Sequence, residues 1–301
     1  MESRDLAFFV AVAEAGSVTG AADRLHCVQS NVTARLRALE AEVAMPLFHR
    51  SSRGVSPTRA GEALLGPARK VCAALEDARA VAAALASPDR PCGRLALGSM
   101  ESTAAVRMPE ILAAFHRDHP DVDLSASTGS SASLTADVLG HRLDAALIAG
   151  PCEHAELVAE PVGTERMALV LPAGAEWPLR VRQGRLTAFC FRSGCTYRAW
   201  LEGMLADLGL RHARLLDFGT LDGILGGVAA GIGFTYMPVS AVAASRFIGK
   251  VSLHTPPAPW HEAETVLIRR TDGLETAALA RFRALARQLW EGSQTEMPLS
   301  A

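Results

Sequence analysis

Two cysteines lie where a reactive thiol could be placed. Cys190 and Cys195 flank the segment Phe-Arg-Ser-Gly at the start of a predicted helix. The helix macrodipole and the nearby Arg192 and Arg198 would lower a thiol pKa at this place. A catalytic thiol also requires a positioned base, and no motif in the sequence indicates one. Three roles therefore stay open, a catalytic nucleophile, a redox pair and inert packing, and packing is the role that we expect.

Other patterns that could carry chemistry have simpler structural explanations. His116 and His119 would share one helix face and could bind a metal, but their charged neighbours indicate a solvated surface. The glycines within residues 226–233 lack the GxGxxG order and follow a predicted helix, so we expect turn and cap glycines rather than a phosphate-binding loop. The six cysteines show no CxxC spacing. We predict no catalytic residue, no metal and no cofactor.

Residues 1–58 are predicted to form short helices separated by tight turns and followed by a polar loop. The third helix starts near Val28 and has an apolar face formed by Val32, Leu36, Leu39 and Val43. The opposite face is mostly polar and has no predicted packing partner. It is formed by Ser30, Thr33, Ala34 and Arg37. Residues 24–59 contain six arginines and two acids, a local charge of +4 in a chain whose net charge is −2. The pattern indicates a basic surface beside an unburied helix face.

A long helix is predicted from its N-cap at Thr58 to Ala86. Its apolar residues recur at alternating intervals of four and three, which is the spacing of a coiled-coil seam. They are Leu64, Ala68, Val71, Leu75, Ala78, Ala82 and Leu85. A helix buried on the surface of its own domain normally has a wider apolar stripe, so we favour dimerisation over that alternative.

Strands and helices alternate after a proline-containing linker at residues 87–91. The predicted strands Leu95–Gly98, Val122–Thr128 and Ala145–Ala149 are separated by predicted helices at Thr103–His119 and Ser131–His141. This βαβαβ order predicts a parallel sheet with helices on both faces.

The same alternation continues in the second part of the domain. Further strands are predicted at Met167–Leu171, Ala188–Phe191, Phe234–Met237 and Val266–Arg269. Further helices are predicted at Tyr197–Leu208, Leu221–Ala230 and Thr276–Trp290. Two α/β halves imply a ligand cleft beside the carboxyl ends of the strands.

Residues 21–33, Ala-Ala-Asp-Arg-Leu-His-Cys-Val-Gln-Ser-Asn-Val-Thr, resemble the helix-turn-helix of the LysR-type transcriptional regulators. Residues 47–50 and 53–61 are similar to that family's wing and to the start of its linker helix. Residues 143–148, and residues 231–233 together with 237–238, resemble parts of its effector domain. The chain departs from the family at Ser30, where proline is frequent, and at Ala34, where a longer polar residue often contacts DNA.

The resemblance implies a mixed α+β and α/β fold. A winged helix-turn-helix would comprise residues 1–58, a dimerising linker helix residues 59–88, and an effector domain like periplasmic binding proteins residues 92–293. The first lobe of that domain would comprise about 92–163 and 266–293, and the second lobe about 164–265. The implied partners are double-stranded DNA, a small-molecule effector and further copies of the chain, as a homodimer through the linker helix and commonly a homotetramer. RNA polymerase is a further candidate partner.

The recognition helix of such a protein enters the major groove with its N-terminal residues nearest the base edges. Gln29, Ser30 and Thr33 fit that place, and Gln29 could pair bidentately with adenine. Arg37 lies on the same helix face, and Arg50 and Arg53 on the wing would reach phosphates or the narrow minor groove. The alternative for each of these residues is an ordinary solvated surface position.

The effector pocket is expected where the first strand ends and a helix begins. The candidate residues are Ser99, Met100, Glu101, Ser102, Thr103, Thr128, Gly129, Ser130, Cys195 and Thr196. Hydroxyls and helix N-termini favour an anion. Glu101 would repel an anion unless Arg107 or Arg198 neutralises it, and otherwise the effector should carry an amine.

Composition and patterning narrow the functional class. The longest apolar runs are far shorter than the roughly 18 residues that span a bilayer, and the first residues show no signal sequence. We therefore expect a cytoplasmic protein without a membrane partner. A solute-binding transport protein would also have two lobes, but the missing signal and the basic N-terminal segment argue against it. We predict a DNA-binding regulator rather than an enzyme.

Overall fold

The computed structural model describes residues 1–51, 54–86, 91–177 and 186–292, with side chains throughout except at 83–86. The chain forms two compact units. The first contains residues 1–88 with 140–142, and the second contains the remaining residues.

The first unit begins with three helices and a hairpin around one small core. Its elements are α1 (Ser3–Ala15), α2 (Val18–Arg24), α3 (Gln29–Glu42), β1 (Phe48–Ser51) and β2 (Gly54–Pro57). Gly16 ends α1 with φ +63°, and the Ser17 hydroxyl accepts a hydrogen bond from the Gly20 N–H at 3.0 Å to begin α2. The buried side chains of α1 and α3 meet in the core, and they include Phe9, Val12, Val32, Leu36 and Leu39. The helical periodicity of the sequence therefore predicted this unit correctly.

The β1–β2 hairpin occupies the segment that the sequence pattern predicted as a polar loop and that the family resemblance predicted as a wing. Phe48 pairs with Pro57 and Arg50 with Val55 in an antiparallel ladder. The Glu40 carboxylate accepts hydrogen bonds from the N–H groups of Leu47 at 2.8 Å and Phe48 at 3.4 Å, so α3 holds the first strand in place.

The long helix α4 spans Arg59–Ala86, as its periodicity predicts. The Thr58 hydroxyl accepts a hydrogen bond from the Gly61 N–H at 3.1 Å and caps the helix. The first part of the predicted seam packs within the unit, because Ala68 is buried and Leu64 lies against the same core. Val71 and Leu75, further along, are 43% and 37% exposed.

The second unit contains the predicted βαβαβ order. Strand β3 (Gly93–Ser99) pairs in parallel with β4 (Val122–Thr128) and with β5 (Ala145–Ala149). Helix α7 (Ser131–Leu139) packs on one face of these strands, and α6 (Met108–Asp118) packs on the other. The expected single helix Thr103–His119 is wrong, because α5 (Glu101–Val106) ends before α6 begins. Pro109 in the first turn of α6 lacks the N–H that a continuous helix would need.

The second half of the sheet is antiparallel, which corrects the expectation that the parallel pattern simply continues. The predicted strand Met167–Leu171 is the end of the 16-residue strand β6 (Leu157–Pro172). The first part of β6 pairs antiparallel with β11 (Glu262–Arg270), and β11 also pairs antiparallel with β5. The last part of β6 pairs with β9 (Thr235–Pro238) and β10 (Val251–His254). One strand therefore contributes to both lobes of the unit.

The remaining elements complete the second lobe and cover the first. Strand β7 (Thr187–Cys190) pairs in parallel with β8 (Arg214–Asp217), which the sequence pattern did not predict. The helices of this part are α8 (Thr196–Asp207), α9 (Leu221–Ala229), α10 (Val239–Ala243) and the last helix α11 (Ala277–Gly292). Helix α11 returns to the first lobe, where Phe282 contacts Phe115 with ring centroids 5.8 Å apart.

A buried ion pair lies where β6 passes from one lobe to the other. Arg107, at the break between α5 and α6, donates from Nε to Glu165 Oε1 at 2.9 Å, and both side chains are 7% exposed. The Ser240 hydroxyl of α10 donates to Glu165 Oε2 at 2.8 Å. The Arg107 guanidinium also lies 4.9 Å from the centre of the Trp290 ring. The pair thus joins a helix of the first lobe, the shared strand and a helix of the second lobe.

Each helix in the described ranges is too short or too polar to span a membrane by itself. Helices α1 and α2 have the necessary length and apolar character only when taken together, and they are bent by 120° relative to each other. The apolar residues of α1 are buried in the core of the first unit.

Breaking this ion pair should destabilise the second unit strongly. Glu165→Gln leaves the buried Arg107 charge without its carboxylate, and we expect a loss of about 3–5 kcal/mol in the free energy of unfolding. Urea unfolding followed by circular dichroism measures it, with the exposed Glu110→Gln as a control that should change by less than about 0.5 kcal/mol. Combining Arg107→Met with Glu165→Leu should recover much of the loss, because no buried charge then remains unpaired. A double variant as unstable as the single one would contradict this explanation.

Candidate functional site

The N-terminal end of α3 presents an exposed polar surface. Gln29, Ser30 and Arg37 are exposed, and Thr33 is half-buried on the same side of the helix. The opposite side is anchored in the core by Val32, Leu36 and Leu39. The first N–H groups of a helix lack partners within the helix and carry partial positive charge, so this end can approach an anion.

An apolar residue that sequence reasoning did not select lies at the same end. Val28 is the N-cap residue of α3 and is 68% exposed. Polar side chains are strongly preferred at an N-cap, and Val28 makes no capping hydrogen bond. The sequence signal that could have selected Val28 is an apolar residue at a predicted helix start, where a polar residue is usual.

The basic surface is smaller than the charge count suggests. Arg35 is paired with Asp5 at 2.9 Å and with Glu2 at 3.4 Å, and Arg24 is 3.5 Å from Glu14. These acids lie outside the counted window, so a local count could not include them. Over the described ranges, three of the six arginines are exposed and have no ion-pair partner, namely Arg37, Arg50 and Arg59. The predicted wing residue Arg53 lies outside the described residues.

The second unit has a cavity of about 390 Å³ at the carboxyl ends of its strands. That volume is in the range of small-ligand sites. Seven of the ten predicted effector residues line it, and these are Met100, Glu101, Ser102, Thr128, Gly129, Ser130 and Cys195. Parallel strands place their carboxyl ends at one edge of the sheet, and ligands bind beside these ends. The position of the seven residues at or after predicted strand ends therefore indicated the cavity.

The other three predicted residues do not line this cavity. Ser99 and Thr103 are buried, and the Ser99 hydroxyl donates to the Met100 carbonyl at 3.0 Å. The Thr196 hydroxyl donates to Ser131 Oγ at 2.8 Å. The Ala132 N–H donates to the Gly194 carbonyl at 3.0 Å beside it. Thr196 therefore connects the two lobes through a hydrogen bond to Ser131.

Sequence reasoning missed several residues of the cavity wall. These are Ser133, Phe191, Arg192, Ser193, Tyr197, Gly219 and Thr220. Phe191 ends the strand predicted at Ala188–Phe191, and Arg192 and Ser193 follow it, so a search at the carboxyl end of that strand could have found them. Gly219 and Thr220 follow β8, a strand that the hydrophobic pattern did not reveal.

Two opposite charges on the cavity wall have no partner in the described part of the chain. Glu101 is half-buried at the start of α5, and Arg192 is exposed in the loop after β7. The suggested internal partners of Glu101 are paired with other acids. Arg107 binds Glu165, and Arg198 binds Glu202 at 2.8 Å and Asp217 at 2.6 Å. Glu101 is therefore available to a ligand.

The two cysteines near this cavity have raised pKa values rather than lowered ones. Burial raises the pKa of Cys190 to about 12, against the opposing effect of the Arg198 charge. Burial likewise raises the pKa of Cys195, which outweighs the backbone hydrogen bonds and the Arg198 charge that lower it. The Cys190 thiol donates to Asp217 Oδ1 at 3.5 Å. Desolvation thus exceeds the dipole effect expected from the sequence, and both thiols stay protonated near neutral pH, which favours packing over a redox role.

Two family models match the chain and together cover nearly all of it. Residues 3–62 match the bacterial regulatory helix-turn-helix protein of the lysR family, and residues 88–291 match the LysR substrate binding domain. The chain belongs to the LysR family of transcriptional regulators. It is a DNA-binding regulator with a substrate-binding domain and not an enzyme.

Named members of the LysR family are similar to this chain over almost their full lengths. The HTH-type transcriptional regulator GltR of Bacillus subtilis is 38% identical to this chain, and the match covers 92% of this chain and 93% of the length of GltR. The HTH-type transcriptional regulator CzcR of Bacillus cereus is 38% identical to this chain, and the match covers 94% of this chain and 96% of the length of CzcR.

Solved structures of LysR-type regulators share the fold. A full-length OxyR variant from Pseudomonas aeruginosa superposes with a TM-score of 0.73 at 22% identity, covering 99% of both chains. Full-length CbnR complexed with its target DNA superposes with a TM-score of 0.65 at 24% identity, covering 96% of this chain and 99% of its own. At these identities the likeness supports the fold alone.

Proposed function

We propose that this LysR-type regulator reads its operator with the N-terminal end of α3. The observation that carries the proposal is the exposed polar end of a helix whose other side is fixed in the core. Arg37 and Arg50 lie on this helix and on the hairpin, and neither has an acidic partner in the described ranges. Gln29 and Ser30 are placed to contact base edges in the major groove, with Thr33 and Arg37 reaching a base edge or a phosphate. Val28 can contact a thymine methyl group.

The hairpin supplies the second half of the proposed DNA contact. Arg50 is exposed on β1, and β1 is attached to α3 through Glu40. Arg50 can therefore keep a fixed position relative to the recognition helix while it contacts phosphates or the minor groove. We propose Arg53 for the same role from its place in the sequence between the two strands.

Two substitutions separate base reading from phosphate binding. The operator is first mapped by sequencing the genomic DNA that the protein binds. Gln29→Ala should then lose about 1–3 kcal/mol on that operator and little on unrelated DNA. Arg50→Ala should weaken binding to all sequences and lower the slope of log affinity against log salt by about one. Titrations at several salt concentrations measure both, with the exposed Arg117→Ala of the second unit as a control. Unchanged affinity in both variants would remove the proposed surface.

We also propose that α4 forms a homodimer, and that two dimers form a tetramer. The exposed residues Val71 and Leu75 continue the four-three spacing beyond the part of α4 that packs in its own unit. A helix with such an apolar stripe is stabilised when a second copy covers it.

A charge in the seam should reduce the oligomeric mass. Val71→Asp places two like charges in an apolar contact at the two-fold axis, so we expect smaller species in multi-angle light scattering. Ala80→Asp adds the same charge on the opposite face of the helix and should keep the original mass. A Val71→Asp variant with unchanged mass would locate the dimer contact elsewhere.

We propose further that the cavity between the lobes binds the small-molecule effector of this cytoplasmic regulator. Its walls come from both lobes, so a ligand that contacts both lobes can favour one arrangement of the lobes over another. Such a shift can alter DNA binding. The cavity has hydroxyl groups for orientation and apolar side chains such as Met100 and Phe191 for burial.

Filling the cavity should abolish regulation without abolishing DNA binding. Thr128→Trp places a large ring in the cavity from the edge strand β4, whereas Ser125→Trp places one on the same strand outside the cavity. Expression of a reporter from a mapped target promoter should no longer change with the growth medium in Thr128→Trp. It should change as in the unmodified protein in Ser125→Trp. Both should bind operator DNA within about twofold of the unmodified protein, since a twofold change is only about 0.4 kcal/mol. A normal response in Thr128→Trp would exclude this cavity as the effector site.

A further inference from the structure

The effector cavity combines a carboxylate and a guanidinium from different lobes, and neither has an ion-pair partner among the described residues. Glu101 begins α5 directly after β3, in the first lobe, and Arg192 follows β7 in the second. From these positions we infer that the effector is a zwitterion of the amino-acid class, whose ammonium group binds Glu101 and whose carboxylate binds Arg192. The inference rests on the proposed function, because it assumes that this cavity is the effector site.

The charged residues around the cavity are otherwise satisfied. Arg107 and Glu165 are joined in the buried pair, and Arg198 is held between Glu202 and Asp217. In the part of the chain that the structure describes, the cavity wall has no other charged side chain besides Glu101 and Arg192. An effector that carries a charge can therefore meet its opposite charge in the cavity only at these two residues.

Arg192 is positioned by its surroundings although it is exposed. A methyl group on Gly219 would lie 3.0 Å from Arg192 Nη2 and 3.2 Å from Cζ. The absence of a side chain at Gly219 thus leaves the space that the guanidinium occupies at the cavity wall. A planar guanidinium presents two parallel N–H donors to a carboxylate, which is the geometry of bidentate binding.

A ligand with both charges fits the cavity better than a ligand with one. A simple carboxylic acid would pair with Arg192 but would lie near the Glu101 carboxylate, and a simple amine would have the opposite difficulty. In either case one of the two wall charges would lose part of its hydration to the ligand without gaining a hydrogen bond in return, which is unfavourable. A zwitterion satisfies both groups and connects the lobes through its own two charges.

Thermal-shift measurements on the full-length protein test the ligand class. The probes are the twenty L-amino acids and the ω-amino acids β-alanine, 4-aminobutyrate and 5-aminovalerate. Each active probe is then compared with the amine that lacks its carboxylate and with the acid that lacks its ammonium group. We expect at least one zwitterion to raise the melting temperature and its two single-charge analogues to give no comparable shift, since binding to the folded state alone raises apparent stability.

Two variants assign the charges to their residues. Glu101→Gln and Arg192→Gln should each weaken binding of the active zwitterion by about 10- to 100-fold in calorimetry, the range for losing one charged hydrogen bond. The exposed residues Glu110 and Arg117, outside the cavity, provide matched controls as Glu110→Gln and Arg117→Gln, which should bind normally. Melting temperatures without ligand establish that each variant is folded.

The remaining outcomes overturn the inference. An amine or an acid that binds as tightly as the zwitterion shows that one of the two charges is not used. A complete absence of shifts across the panel excludes the amino-acid class. Binding of a zwitterion that persists unchanged in both cavity variants excludes Glu101 and Arg192 as the groups that bind its two charges. Failure of the effector-site proposal itself is recognised separately, because the Thr128→Trp reporter would then still respond normally.

Discussion

The ion pair between Arg107 and Glu165 lies where the two lobes of the effector unit share a strand. Glu165 is near the point where β6 leaves β11 and begins to pair with β9, and Ser240 binds its second oxygen from the other lobe. Both charges are buried, so neither can lose its partner without a large cost. The side chain of Trp290 covers the pair and fits against Gly163, where any Cβ would collide with its ring. The pair therefore joins the two lobes at the strand that they share.

In the DNA-binding unit, the packing of the buried face of α3 sets the position of its exposed face. Three buried aliphatic residues hold the helix, and Glu40 on the same helix holds the hairpin through its backbone N–H groups. The acids that neutralise Arg24 and Arg35 are contributed by α1 and the residue before it. Of the described arginines within residues 24–59, those left without an ion pair are Arg37 on α3, Arg50 on the hairpin and Arg59 at the start of α4. Arg37 and Arg50 therefore leave positive charge on the surface that we propose for DNA.

Local patterns in the sequence predicted the elements whose burial is regular and missed those whose partners are distant. The helices of the first unit and the strands β3, β4 and β5 have simple apolar periodicity, and they were located to within a few residues. Strand β6 alternates only partly, because its first half contributes to one lobe and its second half to the other, and its first ten residues were missed. The cavity was located by strand ends, but the charge partners of Arg107 and Arg198 and the effect of burial on Cys190 depend on residues brought together only by folding.

The position of β11 in the sheet has a consequence for how the chain is made. Residues 262–270 lie between β5 and β6, so the first lobe has a gap in its centre until nearly the whole chain has left the ribosome. At translation rates of about 5–20 residues per second, the helix-turn-helix unit is complete at least about ten seconds before that strand emerges. Between the synthesis of β6 and that of β11, the edges of β5 and β6 that β11 will cover are unpaired, and they can accept a strand from another nascent chain. Native pairing of these two edges therefore requires a strand that is made only after most of the second lobe.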